Sequence, residues 1–218
     1  MEVVMKPKKS RKLLWGILGI TFAIFLSLGA VGGIKYMDYQ KEKQEQRQRE
    51  IALYKHGFRL LEEQLATYTK EHYEGVSKIE FSPIFEDGGD GYSMYTLDMV
   101  PVIYDNYGNR AILGGKIGRV RHKSYGLHGE LTLDFDGGDG SEIIEIEKLD
   151  TSEVVDVSDD KHLPKKAELD TCSTFDENIN DLVKIGQLKG VKKSDKGSPN
   201  AKVTYNTEIR KGSYKQWH

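Results

Sequence analysis

The pentapeptide Asp-Gly-Gly-Asp-Gly stands twice in the sequence, at 87–91 and at 136–140. Carboxylates are hard oxygen ligands, and a glycine-rich loop can fold several of them around calcium. On that chemistry Asp134, Asp136 and Asp139 are the candidate metal site. The register speaks against it. An EF-hand loop begun at Asp134 places Asp136 correctly but then has Gly138 where an acid is needed and Asp139 where glycine is needed. The calcium-binding nonapeptide accommodates Gly137, Gly138, Gly140 and Ile144, but Glu142 replaces its Asp, and its copies have to follow one another directly. Both pentapeptides lie between apolar strand candidates, and Gly-Gly and Asp-Gly supply the positive φ angles of hairpin loops. They read as turns.

The other candidate chemistry is a basic run, GRVRHKSYGLHG. Arg119, Arg121, His122 and Lys123 form a cationic cluster suited to anionic head groups, wall polymers or an acidic partner; the alternative is a solvated loop. His122 and His128 would make a metal pair only with acids that the spacing does not specify. Gly114-Gly115-Lys116 lacks the spacing of a phosphate-binding loop. No Ser–His–Asp, Cys–His, His-Glu-x-x-His or dinucleotide-binding pattern occurs, so the chain reads as a non-enzyme without a cofactor. The single cysteine, Cys172, excludes an internal disulfide and a Cys-based zinc cluster.

These residues need elements to hold them. The chain has 218 residues and a net charge of −2, unevenly distributed. Residues 81–150 carry six basic and thirteen acidic groups, a balance that argues against nucleic acid as a ligand. Residues 1–12 form a basic N-terminus. Leu13–Ile34 is 22 residues without a charge, about 33 Å as a helix, which predicts an uncleaved transmembrane span rather than a signal peptide. The basic cluster before it predicts a cytoplasmic N-terminus and an extracytoplasmic remainder. The bilayer is then one partner. Gly29 and Gly33 offer a close-approach pair for a homodimer.

Residues 35–50 are polar and made of helix formers. From Ile51 a heptad-spaced seam begins, through Tyr54, Phe58, Leu61, Leu65, Tyr68 and His72. It predicts either a dimeric coiled coil or, in preference, a helix laid on its own sheet, with Gly57 marking a kink or close contact and Gly75 a C-cap. From Ser77 the apolar period becomes two, in SKIEFSPIF, YSMYTLDMVPVIYD, GLHGELTLDF and SEIIEIEKL. The expected fold is α+β: after the N-terminal transmembrane helix, a long helix on a curved antiparallel sheet of 4–5 strands, all within 51–150. Residues 151–218 read as a charged, partly ordered tail with one short helix at about 173–189, opened by a Thr174–Glu177 capping box.

The short basic start, the apolar run, KYMDYQKEKQEQRQRE, ALYKHGFRLLEEQLATYTKEHYEGVSKIEFSPI and the Gly-rich turn between strands together resemble small single-pass membrane-anchored proteins of Gram-positive bacteria. That resemblance implies a cystatin-like extracytoplasmic domain and carries no catalytic residues with it. Pilin-like proteins share the order of span, helix and sheet, but their processing site and the following Glu are absent. The functional expectation is a membrane-anchored, non-enzymatic interaction module for a protein or cell-wall partner, protection against a secreted toxin being one instance. The alternative is a scaffold subunit of an envelope assembly, dimerising through span and seam.

Overall fold

The computed structural model describes the backbone of residues 10–89, 91, 93–127 and 129–217, and side chains from Lys35 onward within those ranges. Helix α1 (Ser10–His72) runs through two compact units that divide between Glu50 and Ile51. In the first unit the described side chains are exposed or half-buried. Ion pairs at helical spacing, Lys41–Glu45 at 3.8 Å and Arg47–Glu50 at 3.4 Å, decorate them. Such exposed pairs add only tenths of a kcal/mol each.

The transmembrane helix expected at 13–34, and the single-pass, extracytoplasmic localisation built on it, are overturned. Among the described residues no helix is long and apolar enough to cross a membrane. The run is part of a longer helix that continues without a break into charged, exposed turns, and the side chains of 13–34 lie outside the described residues.

The second unit holds the strands. In chain order they are β1 (Tyr73–Glu74), β2 (Val76–Phe81), β3 (Ile84–Asp87), β4 (Thr96–Met99), β5 (Pro101–Asp105), β6 (Arg110–Ile112), β7 (Gly115–Ile117) and β8 (Val120–His122). There follow β9 (Tyr125–Gly126), β10 (Leu131–Phe135), β11 (Glu142–Lys148), β12 (Glu153–Asp156), helix α2 (Ser173–Lys184), β13 (Lys192–Lys193), β14 (Lys202–Thr204) and β15 (Ile209–Lys211). Among the described residues they make five sheets, ordered β14-β2-β5-β6, β15-β3-β4-β9, β10-β11-β12, β1-β13 and β7-β8. The period of two is visible where it was expected: Ile79 and Phe81 of β2, Leu97 and Met99 of β4, and Ile144 and Ile146 of β11 are buried.

The single helix on one curved sheet is therefore corrected to a helix with several sheets beside it, enclosed on every side along one stretch. From Leu60 to Ala66 each residue of α1 is buried, including Glu62, Glu63 and Gln64. One flank packs on the sheets: a Cβ on Gly57 would sit 2.4 Å from Leu133 Cδ2 of β10, so any larger residue there would have to displace that side chain. The other flank packs on residues 151–218, which are not a partly ordered tail. Gln64 Nε2 donates to Ala167 O at 2.8 Å, Leu163 N donates to Glu63 at 2.8 Å, and Asn206 N donates to Glu62 at 3.0 Å. Phe175, Ile179 and Leu182 of α2 are buried in the same core as Phe58, Leu61 and Leu65. Each such side chain contributes about 1.5–3 kcal/mol by leaving water. Strands β14 and β15 run parallel to β2 and β3, so the end of the chain extends two sheets. Parallel neighbours need a long crossover, and here α2 and its flanking loops supply part of it.

Helix α2 does not use the expected capping box. Cys172 is its N-cap and makes no side-chain cap bond. Asp150, from the loop before β12, takes that role by accepting from Ser173 N at 3.0 Å and Ser173 Oγ at 2.7 Å. A carboxylate there also opposes the positive end of the helix dipole.

Candidate binding site

The basic run is distributed by the pleat of one short ribbon. Strands β7 and β8 pair antiparallel, with Lys116 opposite Arg121 and Gly115 opposite His122. Neighbours on a strand face opposite ways, so Arg121 and His122 part company. His122 is buried, with Nε2 3.2 Å from Asp181 Oδ2 of α2. One helical turn earlier Asn178 Oδ1 accepts from Gly114 N at 2.8 Å. Two residues three apart on one helix face thus pin both ends of the ribbon's base. The Lys184 ammonium, assisted by His122, holds the Asp181 carboxyl below the usual carboxylate range. Gly114 and Gly115 both take positive φ, 84° and 83°, which turns the chain from β6 into β7. Lys123 reaches the buried Glu130, its Nζ 2.7 Å from Oε1. Arg119 is exposed in the β7–β8 turn.

Of the four expected binding residues, Arg121 lines a cleft to which the other three do not contribute. It does so with residues that sequence reasoning left out. The cleft measures about 330 Å³ and is walled by Ile112, Leu113, Gly114, Gly115, Lys116 and Arg121 on one side and by Tyr214, Lys215 and Trp217 on the other. The second wall is a 3₁₀ turn, Tyr214–Gln216, whose N-cap Ser213 accepts from Lys215 N. It is carried into place by β15 and by the bond from Gly212 N to Glu86 O at 3.0 Å. The Arg110 guanidinium stands 5.3 Å from the centre of the Trp217 ring, and Lys215 Nζ stands 5.9 Å from that of Tyr214. Among the described residues Lys116, Arg121 and Lys215 have no carboxylate partner, and none of the cleft-lining residues is acidic. The volume falls within the range of small-ligand sites. An interleaved Tyr-Lys-x-Trp at 214–217 was the signal in the sequence.

The acidic candidate behaves differently. Strands β10 and β11 are a hairpin, and the second pentapeptide closes it: Asp136 Oδ1 accepts from Gly138 N at 2.6 Å, and Gly140 N donates to Asp136 O at 2.9 Å. Asp139 Oδ1 accepts from Ser141 N at 2.8 Å and Asp134 Oδ1 from Phe135 N at 2.8 Å. Gly140, at φ 72°, is the left-handed residue there. The first pentapeptide joins the antiparallel pair β3 and β4, and its Asp90 lies outside the described residues, as does His128. Among the described residues no three His, Cys, Asp or Glu side chains are grouped to hold a metal ion.

Two further clusters contain titratable groups. Tyr68 and Tyr73 both donate to Asp176 Oδ1, at 2.8 and 2.5 Å, Lys193 pairs with the other oxygen, and Cys172 N donates to the Tyr68 hydroxyl at 3.0 Å. Burial pushes Tyr68 up to about 12 and Tyr73 further in the same direction, and it also raises the Cys172 thiol. None of the three is a ready nucleophile or base near neutrality. On α1, burial pushes Glu62 up to about 8, opposed only in part by the Asn206 N–H and the Arg59 charge. Burial acts on Glu63 in the same sense, but bonds from Leu163 N, Arg59 and His162 outweigh it and hold this carboxyl below its ordinary value. Both carboxylates are occupied by backbone N–H groups of the C-terminal half. Compared with family models, with curated proteins and with solved structures, the chain matches none.

Proposed function

We propose that the chain is a non-enzymatic binding module whose cleft between the β6–β8 segment and the C-terminal turn takes an anion-bearing ligand. The observation that carries this reading is the convergence of Lys116, Arg121 and Lys215 with two aromatic rings on a cleft that has no acid among the described residues of its wall. It does so within a chain of net charge −2. Hydrogen bonds to charged groups are worth about 1.5–3 kcal/mol each, so three cations supply both affinity and selection of sign. Tyr214 and Trp217 offer faces to a planar or apolar portion of the same ligand. Catalysis is the weaker reading, because among the described residues the wall holds no His, Cys, Ser, Asp or Glu, and the perturbed tyrosines and glutamates elsewhere are engaged in structural bonds. The acidic balance of residues 81–150 disfavours a long phosphate backbone. The favoured partner is a protein carrying carboxylates.

The test is a fluorescence titration of Trp217 in a Trp15→Phe chain with poly-L-glutamate and with a polyuronate, at low and high salt. The expected result is a saturable change with at least one of them, weakened by salt and abolished by Lys116→Glu with Arg121→Glu. A chain that binds neither, or that binds equally well after charge reversal, overturns the reading.

A further inference from the structure

Among the described residues strand β6 is the last strand of its sheet, paired only with β5. The bonds along that pair alternate. Leu113 N donates to Pro101 O at 2.9 Å and Asp105 N to Asn109 O at 3.1 Å. In an antiparallel ladder every second pair is hydrogen-bonded, so Leu113, Ala111 and Asn109 turn their backbone groups toward β5. Ile112 and Arg110, which stand opposite Val102 and Tyr104, turn theirs away. Among the described residues those outward groups meet no backbone partner. Ile112 is also a wall of the cleft. A free ladder edge, three cations and two aromatic rings therefore border one space.

Resting on the anion-binding reading above, we infer that the ligand is an extended acidic peptide segment that adds as a strand to the outer edge of β6. Main-chain bonds to Ile112 and Arg110 fix the segment, and every second side chain of it faces the cleft, where a carboxylate meets Lys116, Arg121 or Lys215. A sugar polymer would use the cations and the rings but not the ladder. The bland account of the same edge is that Arg110 and Lys116 merely guard it against unwanted pairing. That account makes no use of the convergence with Tyr214 and Trp217.

The experiment uses the full chain and a blocked octapeptide alternating Glu with Thr, followed by Trp217 fluorescence and by hydrogen exchange at the Ile112 and Arg110 amides. Two isomers carry N-methyl groups on one or the other alternate set of amides. The expected result is that the parent binds and protects both amides. One methylated isomer loses about tenfold or more in affinity, the loss expected from one or two ladder bonds, while the other isomer binds like the parent. If both isomers match the parent and the two amides stay unprotected, strand addition is wrong while the anion cleft stands. If a uronic acid oligosaccharide binds more tightly than the peptide, the peptide is the wrong occupant. If neither probe binds, the anion-binding reading falls as well.

Discussion

Glutamate 62 gives the most quantitative handle on the fold. It is completely buried on α1 and its two oxygens lie 3.0 and 3.2 Å from Asn206 N. Its folded-state value of about 8, against an ordinary 4.5, means that the folded chain keeps a proton that the unfolded chain releases. Below pH 4.5 both states are protonated and the group is neutral for stability. Above it, stability falls by roughly 1.4 kcal/mol per pH unit until the folded carboxyl itself ionises near pH 8, a loss of up to about 5 kcal/mol. Glu62→Gln keeps an acceptor for Asn206 N and removes the charge. Urea denaturation from pH 5 to 9 should therefore show the two proteins within about 1 kcal/mol at the acid end and the Gln variant ahead by several kcal/mol at pH 9. Groups common to both chains cancel in the difference. Glu63→Gln should act with the opposite sign: its lowered folded value stabilises above the ordinary carboxylate range and is lost as pH falls through it. A Glu62→Gln difference that does not change with pH would refute the argument.

Other expectations follow from the same contacts. Leu65→Asp should abolish the cooperative unfolding transition seen by circular dichroism, because a buried unpaired charge costs several kcal/mol; a folded variant of altered oligomeric state would mean that the helix seam faces a second copy. Asp176→Ala leaves Tyr68 and Tyr73 without their shared acceptor and should cost about 2–4 kcal/mol in urea, more than Tyr68→Phe. Millimolar calcium should leave the thermal midpoint unchanged, since a ligand at a hundred times its Kd would add about 2.7 kcal/mol. A rise that disappears in Asp136→Asn with Asp139→Asn would make that turn a metal site.

The parts of the fold legible in the sequence are those with a period. Phe58, Leu61, Leu65 and Tyr68 announce a buried helix stripe, and Ile79, Phe81, Leu97, Met99, Ile144 and Ile146 announce strands; all are buried. The rest follows no period. Glu62, Glu63 and Gln64 look like a solvent face, and only the partners Asn206, Leu163 and Ala167, a hundred residues or more away, make them interior. Strands β14 and β15 are three residues each, too short for alternation to show, so residues 151–218 read as a tail. The apolar run at 13–34 has the composition of a span, and its side chains lie outside the described residues. The cleft was half legible. Arg121 belongs to a visible cluster, whereas Tyr214, Lys215 and Trp217 reach it only because β15 pairs with β3.

The central claim is that a cationic, aromatic cleft is the working surface of this chain. Amide chemical-shift mapping with poly-L-glutamate tests it most directly. The account predicts that the largest changes fall on Ile112–Lys116, Arg121 and Tyr214–Trp217, and that they vanish in the chain carrying Lys116→Glu and Arg121→Glu. Shifts centred on another surface, or none at saturating polymer and low salt, would contradict it.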